Sequence, residues 1–131
     1  MRYGYLKVIV AVLFAILAVN RADAAEKRTL TGTFMSGYQD GADPVRAVFS
    51  PRGENQWNVS FFFKFNGYNH AYRGTADGSL SGGELSGEVV NETRQRRFSF
   101  SGAIREGKFT GRHAELKRGK RIDTGTITLA E

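Results

Sequence analysis

From Leu30 to the C-terminus, apolar and polar residues alternate with period two, and turn signals interrupt the alternation about every ten residues. No stretch in this region has a helical period. The pattern is clearest at Gln56–Asn66, where Trp57, Val59, Phe61, Phe63 and Phe65 fall on one face and Asn58, Ser60, Phe62, Lys64 and Asn66 on the other. A pleated strand sends successive side chains to opposite sides, so one face is dry and the other mostly wet. Asn66-Gly67 tolerates positive φ, which predicts a tight hairpin into a partner strand at Tyr68–Ala76. The same pattern predicts strands at Thr29–Met35, Val45–Ser50, Glu84–Asn91, Arg94–Ile104, Lys108–Leu116 and Ile122–Ala130. Ser79-Leu80 runs on after Asp77-Gly78, and Ser81-Gly82-Gly83-Glu84 reads as a bulge inside one long strand rather than a turn between two short ones.

Glycines sharpen the prediction. Gly32, Gly74, Gly87, Gly102, Gly111 and Gly125 all share the parity of the apolar residues beside them. Glycine inside a strand costs stability, so a whole inward set needs a physical reason. Barrel closure supplies one, because sharp coiling is easiest where no side chain clashes. A second reason is room, either for the chain's own rings or for a ligand. The expected fold is all-β, a small antiparallel up-and-down β-barrel of about eight strands, with a β-sandwich as the alternative.

The N-terminal segment is of a different kind. Arg2 and Lys7 precede an unbroken apolar run from Val8 to Val19, followed by Ala22-Asp23-Ala24. A bilayer span needs roughly 17–25 apolar residues, so this run is too short. A positive start, a short apolar core and an A-x-A exit read as a cleaved signal peptide over residues 1–24. Residues 25–131 are then one domain, exported to the periplasm or secreted, with no transmembrane segment in the mature chain. The chain has no cysteine, which excludes disulfides, thiol nucleophiles, zinc–thiolate sites and iron–sulfur clusters.

No serine sits in a G-x-S-x-G elbow, and no paired carboxylates stand out, so no catalytic residue is assigned. No cofactor or metal is expected. His70 and His113 fall on the inward parity, His70 between Tyr68 and Tyr72 and His113 beside Glu115. They are the residues an enzyme would use, as ligand or general base, and otherwise satisfied interior histidines. The candidate ligand-binding interior comprises Trp57, Phe61, Phe63, Tyr68, His70, Tyr72, Phe98, Phe100, Phe109, His113 and Glu115. It either packs shut or accepts one small apolar or aromatic molecule.

The formal charge of the chain is +6, and its basic residues cluster at Arg94, Arg96 and Arg97 and again at Lys117, Arg118, Lys120 and Arg121. At one end of a barrel, the two clusters would form a positive rim for an anionic surface partner on the envelope or outside the cell. Neither cluster carries the interleaved aromatics of a base-stacking platform, and nucleic acid is not an expected partner. The leading reading is a non-catalytic binding module for a small apolar or aromatic ligand. The alternatives are an interaction protein acting through the basic loops and an enzyme using His70 and His113.

The pattern resembles the small exported up-and-down barrels of the lipocalin and avidin type, which enclose a small apolar ligand. The resemblance is one of architecture. Lipocalins open with a Gly-x-Trp turn into the first strand, whereas the single tryptophan here lies in Gly53-Glu54-Asn55-Gln56-Trp57, further from its glycine and later in the chain. Avidin-type sites draw on several tryptophans.

Overall fold

The alternating segments pair with their sequence neighbours, and the last pairs with the first. The computed structural model describes residues 26–37 and 41–131; the signal-like segment 1–24 lies outside the described residues. Eight strands follow one another: β1 (Arg28–Ser36), β2 (Asp43–Gly53), β3 (Gln56–Phe65), β4 (Tyr68–Gly78), β5 (Gly83–Asn91), β6 (Arg96–Arg105), β7 (Lys108–Lys117) and β8 (Lys120–Ala130). All neighbours are antiparallel, and β1 closes on β8 through pairs such as Gly32 with Leu129 and Phe34 with Ile127. This is a closed up-and-down barrel, and closure removes the sandwich alternative. Among the described residues no helix is long and apolar enough to cross a membrane.

Local chemistry explains the hairpins. Asn66-Gly67, Glu106-Gly107 and Arg118-Gly119 each place two successive residues at positive φ, near 52° then 81°, 52° then 76°, and 53° then 75°. Such turns carry the twist of the flanking strands directly into the hairpin. The connection between β4 and β5 differs from the sequence expectation. Residues 79–82 form a turn rather than a bulge in a continuous strand, with Gly78 and Gly83 at φ 131° and 94°. The Ser79 hydroxyl accepts from the Ser81 amide at 3.0 Å, and Leu80 folds inward to become buried. The count of eight strands stands because this turn joins β4 and β5 without adding a strand.

The interior has two halves. One end of the barrel carries the β2–β3, β4–β5 and β6–β7 turns, and it is packed shut by Leu30, Phe49, Trp57, Leu80, Leu85, Ile104, Phe109 and Leu129. Trp57 stands edge-on to Phe49 and donates its indole N–H to the Gly78 carbonyl at 2.8 Å. The inward glycines make room here for the chain's own rings. A Cβ on Gly111 would lie 2.6 Å from the Phe109 ring, and one on Gly102 would lie 2.9 Å from it. The opposite end carries the β1–β2, β3–β4, β5–β6 and β7–β8 connections, and there the packing gives way to a cavity.

Candidate functional site

The cavity follows from where large inward side chains stop. Toward the second end the strands contribute Phe34 and Ser36 from β1, Val45 from β2, Phe63 and Phe65 from β3, His70 and Tyr72 from β4, Phe98 from β6, His113 from β7 and Thr124 from β8. They enclose about 130 Å³, and because Ser36, Phe65 and Arg96 belong to the rim, the space opens at that end.

Ring contacts run round this space as a closed belt. Phe63 stacks on Tyr72 with centroids 5.5 Å apart, Tyr72 meets Phe98 edge-on at 5.4 Å, and Phe98 lies 6.5 Å from His113. His113 is 6.3 Å from Phe34, which returns to Phe63 at 4.8 Å. Edge-to-face and offset pairs at such separations are mutually favourable, so the belt holds its shape without a ligand. His70, nearer the open end of β4 than Tyr72, also lines the cavity and stacks on Phe63 at 5.3 Å. Its Nε2 is buried and has no hydrogen-bond partner. A buried, unpaired nitrogen is costly and is satisfied when a group of suitable polarity arrives beside it.

His113 is differently placed. Its Nε2 lies 2.9 Å from the Met35 carbonyl oxygen and its Nδ1 2.7 Å from Thr124 Oγ1. A carbonyl only accepts, so Nε2 carries a proton and donates; in the neutral ring Nδ1 then accepts from the Thr124 hydroxyl. That hydroxyl also has the His113 carbonyl at 3.1 Å as a second acceptor. With both ring nitrogens engaged, His113 ties β7 to β1 and β8 instead of offering a free base. Among the described residues no group of three His, Asp or Glu side chains could hold a metal.

Burial pushes the His113 imidazolium below the ordinary histidine range, against the opposing pull of backbone hydrogen bonds with Met35 and Thr126. The folded state thus binds a proton less readily than the unfolded chain, whose reference value is 6.5. The His113 contribution should be fully present above that value and lost progressively as pH falls from it toward the depressed folded value. Urea midpoints measured from neutral pH downward should decline over this window, and His113→Gln should flatten that part of the profile. An unchanged profile in the variant would remove His113 as the cause. Glu115 acts in a separate, more acidic window, because the Arg96 hydrogen bond holds its carboxyl below the ordinary glutamate value of 4.5.

Arg96 and Glu115 form the polar lip of the cavity. Arg96 donates from Nε to Oε2 at 3.1 Å and from its terminal nitrogen to Oε1 at 3.2 Å, a two-pronged pair across β6 and β7. Its guanidinium also lies 5.1 Å from the Phe98 ring centroid. Burial raises the Tyr72 phenol pKa.

No protein-family model matches the chain, and no curated protein matches it in sequence.

Of the interior candidates, Phe61, Phe63, His70, Tyr72, Phe98, Phe100 and His113 line the cavity. Trp57 and Phe109 have the expected inward parity but belong to the closed end, where both are buried in the packed core. Tyr68 pairs with Phe65 beyond the last interior layer, so it stands exposed on the rim. Glu115 reaches the rim and is held by Arg96. Phe34, Val45, Phe65, Val89 and Ile127 also line the space and were legible by parity alone. Thr124 was not. The register shifts opposite His113 and Ala114, so β8 holds one extra residue and Thr124 turns inward although Gly125 and Ile127 share the other parity.

The basic clusters meet at the open end, since the β5–β6 and β7–β8 tips are carried by the paired strands β6 and β7. Arg94, Arg97, Lys117, Arg118 and Lys120 are exposed there. Arg96 turns into the mouth, and Arg121 borders a groove on the outer wall with Asp77, Ser86, Glu88 and Ser101. Phe62, outward on β3, is flanked by Arg46 at 4.8 Å and Arg73 at 5.7 Å, so cations cover its face.

Proposed function

We propose that this barrel is a non-catalytic binding module that takes one small apolar or aromatic molecule into the belt at its open end. The observation that carries the reading is the apolar space of about 130 Å³ inside a closed ring of aromatic side chains. An apolar cavity of about 150 Å³ stays dry and accepts benzene, which sets the scale of the ligand at one ring or a short branched chain. The buried His70 Nε2 favours a ligand with a single hydrogen-bonding group, such as a phenol, an indole or an aryl carboxylate. Export through the signal-like segment 1–24 suits a carrier or scavenger working outside the cytoplasm. The enzyme alternative is weaker, because both nitrogens of His113 are already engaged.

Titration of phenol, benzoate and indole into the labelled protein, followed by NMR, should shift Phe63, Tyr72 and Phe98, with Kd of about 0.1–1 mM for a ligand this small. Trp57 sits in the other half, so its fluorescence should stay unchanged. Val89→Phe places a ring in the space and should abolish those shifts while the fold persists. If no compound in the series shifts the belt residues of the natural protein, the cavity is not a ligand site.

A further inference from the structure

Among the described residues, the large hydrophobic side chains that remain exposed are Met35 at 49%, Tyr68 at 66% and Ile122 at 45%. In a barrel with two ends, nothing in the alternation requires them to share one. They do: Met35 is the last but one residue of β1, Tyr68 begins β4 at the β3–β4 turn, and Ile122 follows the β7–β8 turn. All three therefore surround the cavity mouth, and the exposed cations of the β5–β6 and β7–β8 tips occupy the same rim. Glu92 and Asp123 are the exposed acids beside those tips, and Glu115 is already paired with Arg96. At the closed end the exposed charges are mixed, with Glu54, Glu84, Glu106 and Glu131 among them.

We propose that the open end docks on an anionic lipid surface, with Met35, Tyr68 and Ile122 entering the headgroup region and the basic tips holding lipid phosphates. Clustered Lys and Arg are drawn to anionic lipid, and Tyr sits well at the interface, with its ring in the apolar layer and its hydroxyl in water. A soluble polyanion would explain the cations but not the exposed apolar residues on the same rim. A lipid surface explains both. The rim residues are spread around the mouth from β1 through β3–β4 and β5–β6 to β7–β8, so a flat surface reaches them together and faces the cavity entrance. The docking goes beyond the ligand-binding reading and stands without it.

Co-sedimentation of the purified protein with phosphatidylcholine vesicles, with and without phosphatidylglycerol, tests the proposal across a salt series. Binding should require the anionic lipid and weaken as salt rises. Replacing Lys117 and Lys120 by Gln should reduce partitioning about tenfold or more. The pair Tyr68→Ser and Ile122→Ser should also reduce it, and this loss should persist at high salt. The cavity-filled Val89→Phe protein should bind vesicles like the natural one, which separates docking from ligand uptake. Equal binding to neutral and anionic vesicles, or none to either, overturns the proposal. Full vesicle binding by the Tyr68→Ser, Ile122→Ser protein also overturns it, because the apolar rim residues then do not enter the headgroup region.

Discussion

Phe109→Ala should lower the unfolding free energy by about 3–5 kcal/mol, the range for truncating a buried phenylalanine. Phe109 is fully buried and meets Phe100 edge-on at 6.3 Å. The size of the loss depends on whether neighbours can collapse into the vacated space. Here collapse is limited, because the ring covers Gly102 and Gly111, neither of which has a side chain to move. Much of the hole therefore persists, and the loss should fall near the upper end of that range. For a domain of this size the melting temperature should drop by roughly 15–30 °C, measurable by calorimetry or circular dichroism. A loss below about 1 kcal/mol would mean that the closed end is not packed as described.

Gly32→Ala should open the seam that makes the barrel a barrel. A Cβ at position 32 would run into the Thr128 carbonyl oxygen of β8 and lie 3.0 Å from the Leu129 Cα. Both obstacles are backbone, so no side-chain rotation relieves them, and β1 must move away from β8. Alanine also has the less disordered unfolded state, worth about 0.4–1 kcal/mol in the opposite direction. Overpacking of this kind typically costs about 1–3 kcal/mol and sometimes more, so the net effect should still be a loss of about 2 kcal/mol. Urea denaturation gives the magnitude, and hydrogen exchange should show the amides of β1 and β8 opening first. Gly37→Ala is the control, since a Cβ there meets nothing within 4 Å and should be neutral or slightly stabilising. Equal behaviour of the two variants would show that the seam does not depend on Gly32.

These two substitutions show what each level of organisation contributes. The strands, the Asn66-Gly67 turn and the inward parity of the glycines are local properties, each written in a few neighbouring residues, and they are legible in the sequence. Period two settles which face a side chain takes. It does not settle how far along the barrel axis the side chain lies. Trp57 and Phe63 have the same parity on the same strand, yet one seals the closed end and the other walls the cavity. Tyr68 keeps inward parity but sits past the last layer, where only solvent remains.

Axial position depends on the register of every pair around the closed sheet, and a single extra residue in β8 was enough to turn Thr124 inward against the local pattern. The meeting of the two basic tips was conditional in the sequence for the same reason. It needed β6 and β7 to be paired neighbours with their outer turns at one end. The residues thus determined what each strand buries, by alternation and turn chemistry acting over a few positions. Only the closed tertiary structure decided which buried residues fill the interior and which leave a space, because that division arises from contacts between strands distant in the chain.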